Sequence, residues 1–150
     1  MALLTMLFSD MLSQQENPNQ NVVSASGADG SIEVQLQRNK YGHYVALGRI
    51  NGAPVDFLLD TGATAVAIPE GIARRLGLPF GMEVESATAN GITRGYLTEL
   101  DEVQLGDIIA RDVRATILPN MNDNEVLLGM TFLSRLDFSQ SGDTLILRSR

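Results

Sequence analysis

Asp60 is the residue in this chain best placed to do chemistry. It follows the apolar run Phe57-Leu58-Leu59 and opens Asp60-Thr61-Gly62-Ala63-Thr64, so a strand delivers one carboxylate into a tight turn. Asp-Thr-Gly by itself is also ordinary punctuation after a buried strand, and three letters alone are a weak signal. What else the chain could use is limited. It has no cysteine, and its one histidine, His43, has no second histidine beside it, which argues against a disulfide, a thiolate site and zinc. His43 reads as a strand residue with a satisfied hydrogen bond rather than as a base. No metal and no cofactor are expected, and carboxylate acid–base work is the chemistry on offer.

The elements that must position Asp60 are short and β-rich. At 150 residues and 44% apolar, the chain suits one domain with its own core. Its 14 glycines, spread along the chain with Asn-Gly and Gly-Asp pairs between short apolar runs, favour hairpins over a helical bundle. A net charge of −7 leaves no basic face for phosphate, so nucleic acid is not an expected partner.

Residues 1–12 are apolar with Asp10 inside, too short to span a bilayer and without the basic start of a signal peptide. From Ser13 to Gly30 the composition turns to Gln, Asn, Ser and Gly, which offers little burial to offset ordering entropy. Residues 1–30 therefore read as an apolar stub and a polar linker, and the folded domain is expected over 31–150. Ile32, Val34 and Leu36 alternate as a half-buried strand. A second strand over 41–50, the Asn51-Gly52 turn and a returning strand over 55–59 form a hairpin that ends at Asp60. Val66 to Ile68 reads as a short strand, and Pro69-Glu70 opens a helix with Ile72 and Leu76 on one face and Gly77 as its cap. Runs over 82–89 and 92–100 flank Asn90-Gly91, the strongest hairpin signal in the chain. Val103 and Leu105 lead into Gly106-Asp107, with a strand over 113–118 beyond it. Val126 to Leu128 is a buried strand closed by Gly129, with a short helix around Phe132, Leu133 and Leu136. A terminal hairpin turns at Gly142-Asp143.

The turn and its neighbours resemble a known family. Phe57 to Thr64 resembles the active-site turn of aspartic proteases, and Ala63 after the glycine is more similar to the retroviral (retropepsin) branch than to the pepsin branch. Ala89-Asn90-Gly91-Ile92 lies where retropepsins carry a glycine-tipped flap hairpin, about thirty residues after the turn. Val126-Leu127-Leu128-Gly129-Met130 resembles their apolar-apolar-Gly segment before a short helix. With Gly42-His43-Tyr44 and Ile50-Asn51-Gly52 added, the likeness is to bacterial retropepsin-like proteases, over about residues 31 to 150.

The resemblance implies an all-β fold, a closed retropepsin-like (acid protease) barrel with one or two short helices, acting as a homodimer. It implies an aspartic endopeptidase on polypeptide substrates, in which two carboxylates share one proton and activate a water. This effect in aspartic proteases is itself a standard example of coupled titration. The chain carries one Asp-Thr-Gly, so the second Asp60 must come from a second copy across a two-fold axis. By the same resemblance Thr61 locks the paired turns, Gly62 permits close backbone approach, Ala89 to Ile92 fold over substrate, and Leu128 and Gly129 support the dyad. Ile68, Ile92 and Ile117 are candidate subsite walls, with plain core as the alternative. The competing reading is a non-catalytic retropepsin-like module for dimerisation or peptide binding. Similar bacterial proteases often carry a membrane anchor, so the expectation for location is an inner-membrane tether N-terminal to a periplasmic domain, or a soluble protein.

Overall fold

The computed structural model describes residues 16–88 and 91–150. The apolar stub over 1–12 lies outside the described residues. Among those described, no helix is long and apolar enough to cross a membrane.

In chain order the strands are β1 (Ser24–Ser26), β2 (Ile32–Gln37), β3 (Tyr44–Ile50), β4 (Ala53–Leu59) and β5 (Ala67–Pro69). Helix α1 (Glu70–Leu76) follows, then β6 (Glu83–Thr88), β7 (Gly91–Leu105), β8 (Ile108–Leu118) and β9 (Glu125–Leu128). Helix α2 (Met130–Leu133), β10 (Asp137–Ser141) and β11 (Thr144–Arg148) complete the fold. Six strands in the order β3-β4-β9-β5-β8-β7 form a sheet that closes when β7 returns to β3, through Arg49↔Gln104 and Ile50↔Val103. The all-β closed barrel expected from the resemblance is thus present, with short helices α1 and α2 among the described residues.

Alternation explains which way each wall faces. In β4, Val55, Phe57 and Leu59 are buried in the core, while Pro54, Asp56 and Leu58 point outward. Phe57, Ile50, Ile68, Leu100, Ile117 and Leu128 are among the largest side chains buried without residue, and Phe132 of α2 joins them. The β3–β4 hairpin turns through Asn51 (φ 50°) and Gly52 (φ 84°), as its Asn-Gly pair predicts. Helix α1 ends on Gly77 in the left-handed region, again as expected. Tyr41 to His43 lie ahead of β3 rather than within it, so His43 is an exposed turn residue whose N–H donates to the Asn39 side chain. β7 is one continuous strand of 15 residues, where two shorter runs were expected, because its second half is the strand that closes the barrel.

A second sheet, in the order β1-β2-β11-β10, packs beside the barrel. The segment ahead of it is where composition misleads. Asn17 and Asn19 are buried, and Asn19 joins the two sheets. Its Nδ2 donates to the carbonyls of Gln37 and Val45, each at 2.8 Å, and its Oδ1 accepts from the Gln37 N–H at 2.8 Å. Its own carbonyl accepts from the Leu47 N–H at 3.1 Å. Burial of polar amides with full hydrogen bonding is invisible to an apolar count.

Replacing Asn19 with Ala leaves the Gln37 N–H and two carbonyls without these partners, and is expected to cost about 3 kcal/mol. Urea denaturation should show the midpoint falling at unchanged slope, whereas Asn21→Ala, at an exposed position in the same segment, should be near neutral. Equal effects of the two would remove Asn19 from the account.

Candidate active site

The parallel pair β4 and β9 brings Asp60 to the end of a buried strand. Leu59 lies in register with Leu128, and the Asp60 N–H then donates to the Leu128 carbonyl at 3.1 Å. The chain turns at once. Asp60 Oδ1 accepts from the Gly62 N–H at 2.8 Å, and the Asp60 carbonyl accepts from the Ala63 N–H at 3.2 Å. The first bond is an Asx turn, which sets the direction of the carboxylate from its own backbone, and the second closes a β-turn over 60–63.

The next stretch of the turn is bound from the other side. The Met130 N–H donates to the Ala63 carbonyl at 2.8 Å, and Thr131 gives both its N–H and its Oγ1 to the Thr64 carbonyl, each at 2.8 Å. Gly129 makes this approach feasible. A Cβ there would lie 2.7 Å from the Ala63 carbonyl oxygen and closer still to that of Ala65, both of them backbone atoms with no room to retreat. The structure therefore brings Asp60, Thr61, Gly62 and Ala63 together with Leu128 and Gly129. Asp60, Thr61 and Gly62 are exposed, while Leu128 is buried.

The hairpin expected as the flap is formed by β6 and β7. Its tip residues Ala89 and Asn90 lie outside the described residues, between Thr88 and Gly91, which pair in register. Gly91 has φ 108°, a conformation that side-chain-bearing residues resist, and Ile92 is 75% exposed. The hairpin connects to the turn through the sheet: β7 pairs with β8, β8 with β5, and β5 begins just after Thr64. Its base is fixed by Phe80 and Tyr96, whose rings lie 5.5 Å apart, with the Arg74 guanidinium 5.0 Å above Phe80. Sequence reasoning missed that pair. What brings the rings together is the hairpin register, in which Tyr96 lies opposite Glu83 just beyond Phe80, and periodicity does not give that register. Ile68 and Ile117 must be withdrawn as subsite walls: they are register partners in parallel β5 and β8, both completely buried in the core.

Among the described residues, no three His, Cys, Asp or Glu side chains gather as a metal-ligand set. The family model described as "gag-polyprotein putative aspartyl protease" matches residues 46–135, which include the Asp60 turn, the hairpin and the Leu128-Gly129 support. The chain belongs to the retropepsin-like aspartyl protease family.

Solved structures agree with this family's barrel. A retropepsin-like aspartic protease from Rickettsia conorii superimposes with a TM-score of 0.67 at 26% identity, over 86% of this chain and 96% of that one. EIAV protease complexed with the inhibitor HBY-793 shares the fold at a TM-score of 0.53 and 19% identity, over 66% of this chain and 92% of its own. An uncharacterized protein in the cobV 5′ region of Sinorhizobium sp is 34% identical over 116 residues, 75% of this chain and 50% of that protein. The chain thus spans about half the length of this curated relative.

If the aspartyl protease turn is clamped as described, Gly129→Ala should destabilise the fold by about 3 kcal/mol, since a Cβ would collide with backbone. Gly71→Ala, in α1 with nothing near its Cβ position, should be neutral or stabilise by up to about 1 kcal/mol. Thermal unfolding of both variants checks the contrast, and a Gly129→Ala protein as stable as wild type would mean that the turn is not held this way.

Proposed function

We propose that this chain is an aspartic endopeptidase whose active site is completed by a second copy of itself. The observation that carries the reading is the exposed Asp60 carboxylate at the end of buried β4, in a turn held by backbone bonds, in a chain with one Asp-Thr-Gly.

In this reading one Asp60 of the dimer is ionised and the other protonated. The ionised carboxylate takes a proton from a water as its oxygen attacks the scissile carbonyl carbon, and the protonated one donates to the carbonyl oxygen. The result is a gem-diol with the proton inventory of the pair unchanged. Collapse breaks the C–N bond: the protonated Asp60 gives its proton to the leaving nitrogen, the ionised Asp60 takes one hydroxyl proton of the gem-diol as the carbonyl re-forms, and a carboxylic acid and an amine leave with one proton again on the pair. Gly62 holds Asp60 Oδ1, so the rotamer is set before substrate arrives. Thr61 is assigned to the contact across the two-fold axis. Ala89, Asn90, Gly91 and Ile92 are assigned to closing over the peptide, with Ile92 offering an apolar surface toward it.

A non-catalytic dimerisation or peptide-binding module is the second reading. It draws on the same turn, whose internal hydrogen bonds make it a complete structural corner without any chemistry. Asp60→Asn separates the two: peptide cleavage should disappear while unfolding temperature and dimer content stay as in wild type.

Sharing of the site has its own measurement. Wild-type and Asp60→Asn chains are co-refolded in equal amounts and assayed for peptide cleavage where a sizing column shows only dimer. Random pairing leaves about one quarter of dimers with two intact aspartates, against about one half of sites if each chain works alone. A rate near one quarter of the all-wild-type value is expected. A rate near one half would sink the shared dyad.

A further inference from the structure

The helix that holds the Asp60 turn is itself held at its far end, by a side chain that the proposed chemistry does not use. α2 is one turn long, and the N–H groups of Met130 and Thr131 at its start donate to the Ala63 and Thr64 carbonyls. Phe132 and Leu133 are buried in the core beneath it. Apolar packing is non-directional, so it fixes the depth of so short a helix better than its rotation. Two residues beyond α2, Arg135 reaches β8: Nη1 donates to the Arg111 carbonyl at 2.6 Å and Nη2 to the Asp112 carbonyl at 2.9 Å.

The place it grips is a break in the ladder of β7 on β8. Pairing runs to Leu100↔Val113 and resumes at Glu102↔Arg111, passing over Asp101 and Asp112. Both strands change their inward face there. The buried positions are Thr98 and Leu100, then Val103 and Leu105 in β7, and Ile108 and Ala110, then Val113 and Ala115 in β8. Asp112 has φ 54°, left-handed backbone that a residue with a side chain adopts only at a cost. In a regular strand successive carbonyls point to opposite edges, but at this residue two in a row face one partner. A guanidinium is a rigid planar fork of donors and suits two such acceptors, whereas a lysine ammonium is a point charge on a flexible stem.

We propose that Arg135 is a positioning residue for Asp60: by fixing α2 on the break in β8, it sets where Met130 and Thr131 hold the Asp60 turn, and hence how far apart the two Asp60 carboxylates of a dimer stand. It acts through α2 and touches no reacting group. The kinetic consequence rests on the endopeptidase reading above, while the hold on the turn does not. Two carboxylates drawn close titrate far apart, and the gap narrows as they separate. A loosened α2 therefore draws the two limbs of the pH–rate profile toward each other, which lost stability alone does not do.

Arg135→Gln and Arg135→Lys are compared with wild type and with Arg114→Gln, which removes the same charge from an exposed position of β8 in register with Glu99. Native-state hydrogen exchange by NMR reads the hold directly. In Arg135→Gln the Met130 and Thr131 amides should exchange at least about tenfold faster, while the Leu78 amide, bonded to the Ala73 carbonyl, keeps its wild-type rate. Peptide cleavage should lose about tenfold in kcat with KM within about twofold, because a small misplacement of catalytic groups is felt in the rate. Each limb of the pH–rate profile should move inward by about half a unit. Arg135→Lys, able to serve one carbonyl, should fall between, and it carries the test should the Gln variant fold poorly. Arg114→Gln should match wild type. Exchange at Met130 and Thr131 that is unchanged, or raised no more than at Leu78, would overturn the proposal. So would wild-type kcat and pH limbs in a variant whose α2 amides exchange faster. If the wild-type protein cleaves no peptide, the endopeptidase reading fails, and the exchange alone decides for or against Arg135.

Discussion

The parallel pairing of β4 with β9 is the constraint on which the rest of this fold depends. Two parallel strands cannot be joined by a hairpin, so the chain must leave Asp60, travel through β5, α1 and the β6–β8 meander, and come back about 70 residues after Asp56 to meet it at Glu125. Closing a loop of that length costs about 4 kcal/mol in chain entropy, beyond a constant term. Burying Phe57, Leu59, Val126 and Leu128 at the junction returns about 1.5–3 kcal/mol each, so burial wins, though only once the excursion is complete. The Asp60 turn is consequently fixed by long-range contacts as well as by its own local bonds, and its place is a property of the whole barrel.

That constraint also explains what could and could not be read in advance. Local signals were legible: Asn51-Gly52, Gly106-Asp107 and Gly142-Asp143 all turn hairpins, and Gly77 caps α1. Asp60, Leu128 and Gly129 were legible as members of one site through resemblance, because letters of a known motif stand at matching intervals. Periodicity could not supply the closure of β7 on β3, since nothing in the alternation of Val103 and Leu105 says which strand will lie beside them. Ile68 and Ile117 show the opposite difficulty. An apolar residue near a catalytic motif looks the same in sequence whether it lines a cleft or fills the core, and only the register of β5 on β8 decides.

The segment ahead of β2 failed for a different reason. A composition rule asks whether a stretch can bury enough carbon to offset its ordering, and residues 16–22 cannot. They order by filling the place between β2 and β3, where Asn19 bonds the backbone of Gln37 on one side and of Val45 and Leu47 on the other. An asparagine suits that gap because one planar amide supplies a donor to each strand and an acceptor as well. The junction of the two sheets and the N-terminal segment are thus one structural unit, although the sequence changes character between them.

The clamp around Asp60 is built almost wholly of main-chain groups: N–H of Asp60, Gly62, Ala63, Met130 and Thr131, and C=O of Leu128, Asp60, Ala63 and Thr64. Any residue but proline could supply those N–H groups, so positions 63, 64 and 130 are free to drift in identity while the corner keeps its shape. Asp60 and Thr131 add side-chain bonds to it, and Gly129 must bring no side chain. A corner specified by so few letters can persist through long divergence, and the barrel's recurrence in a viral protease at 19% identity is the outcome such robustness allows.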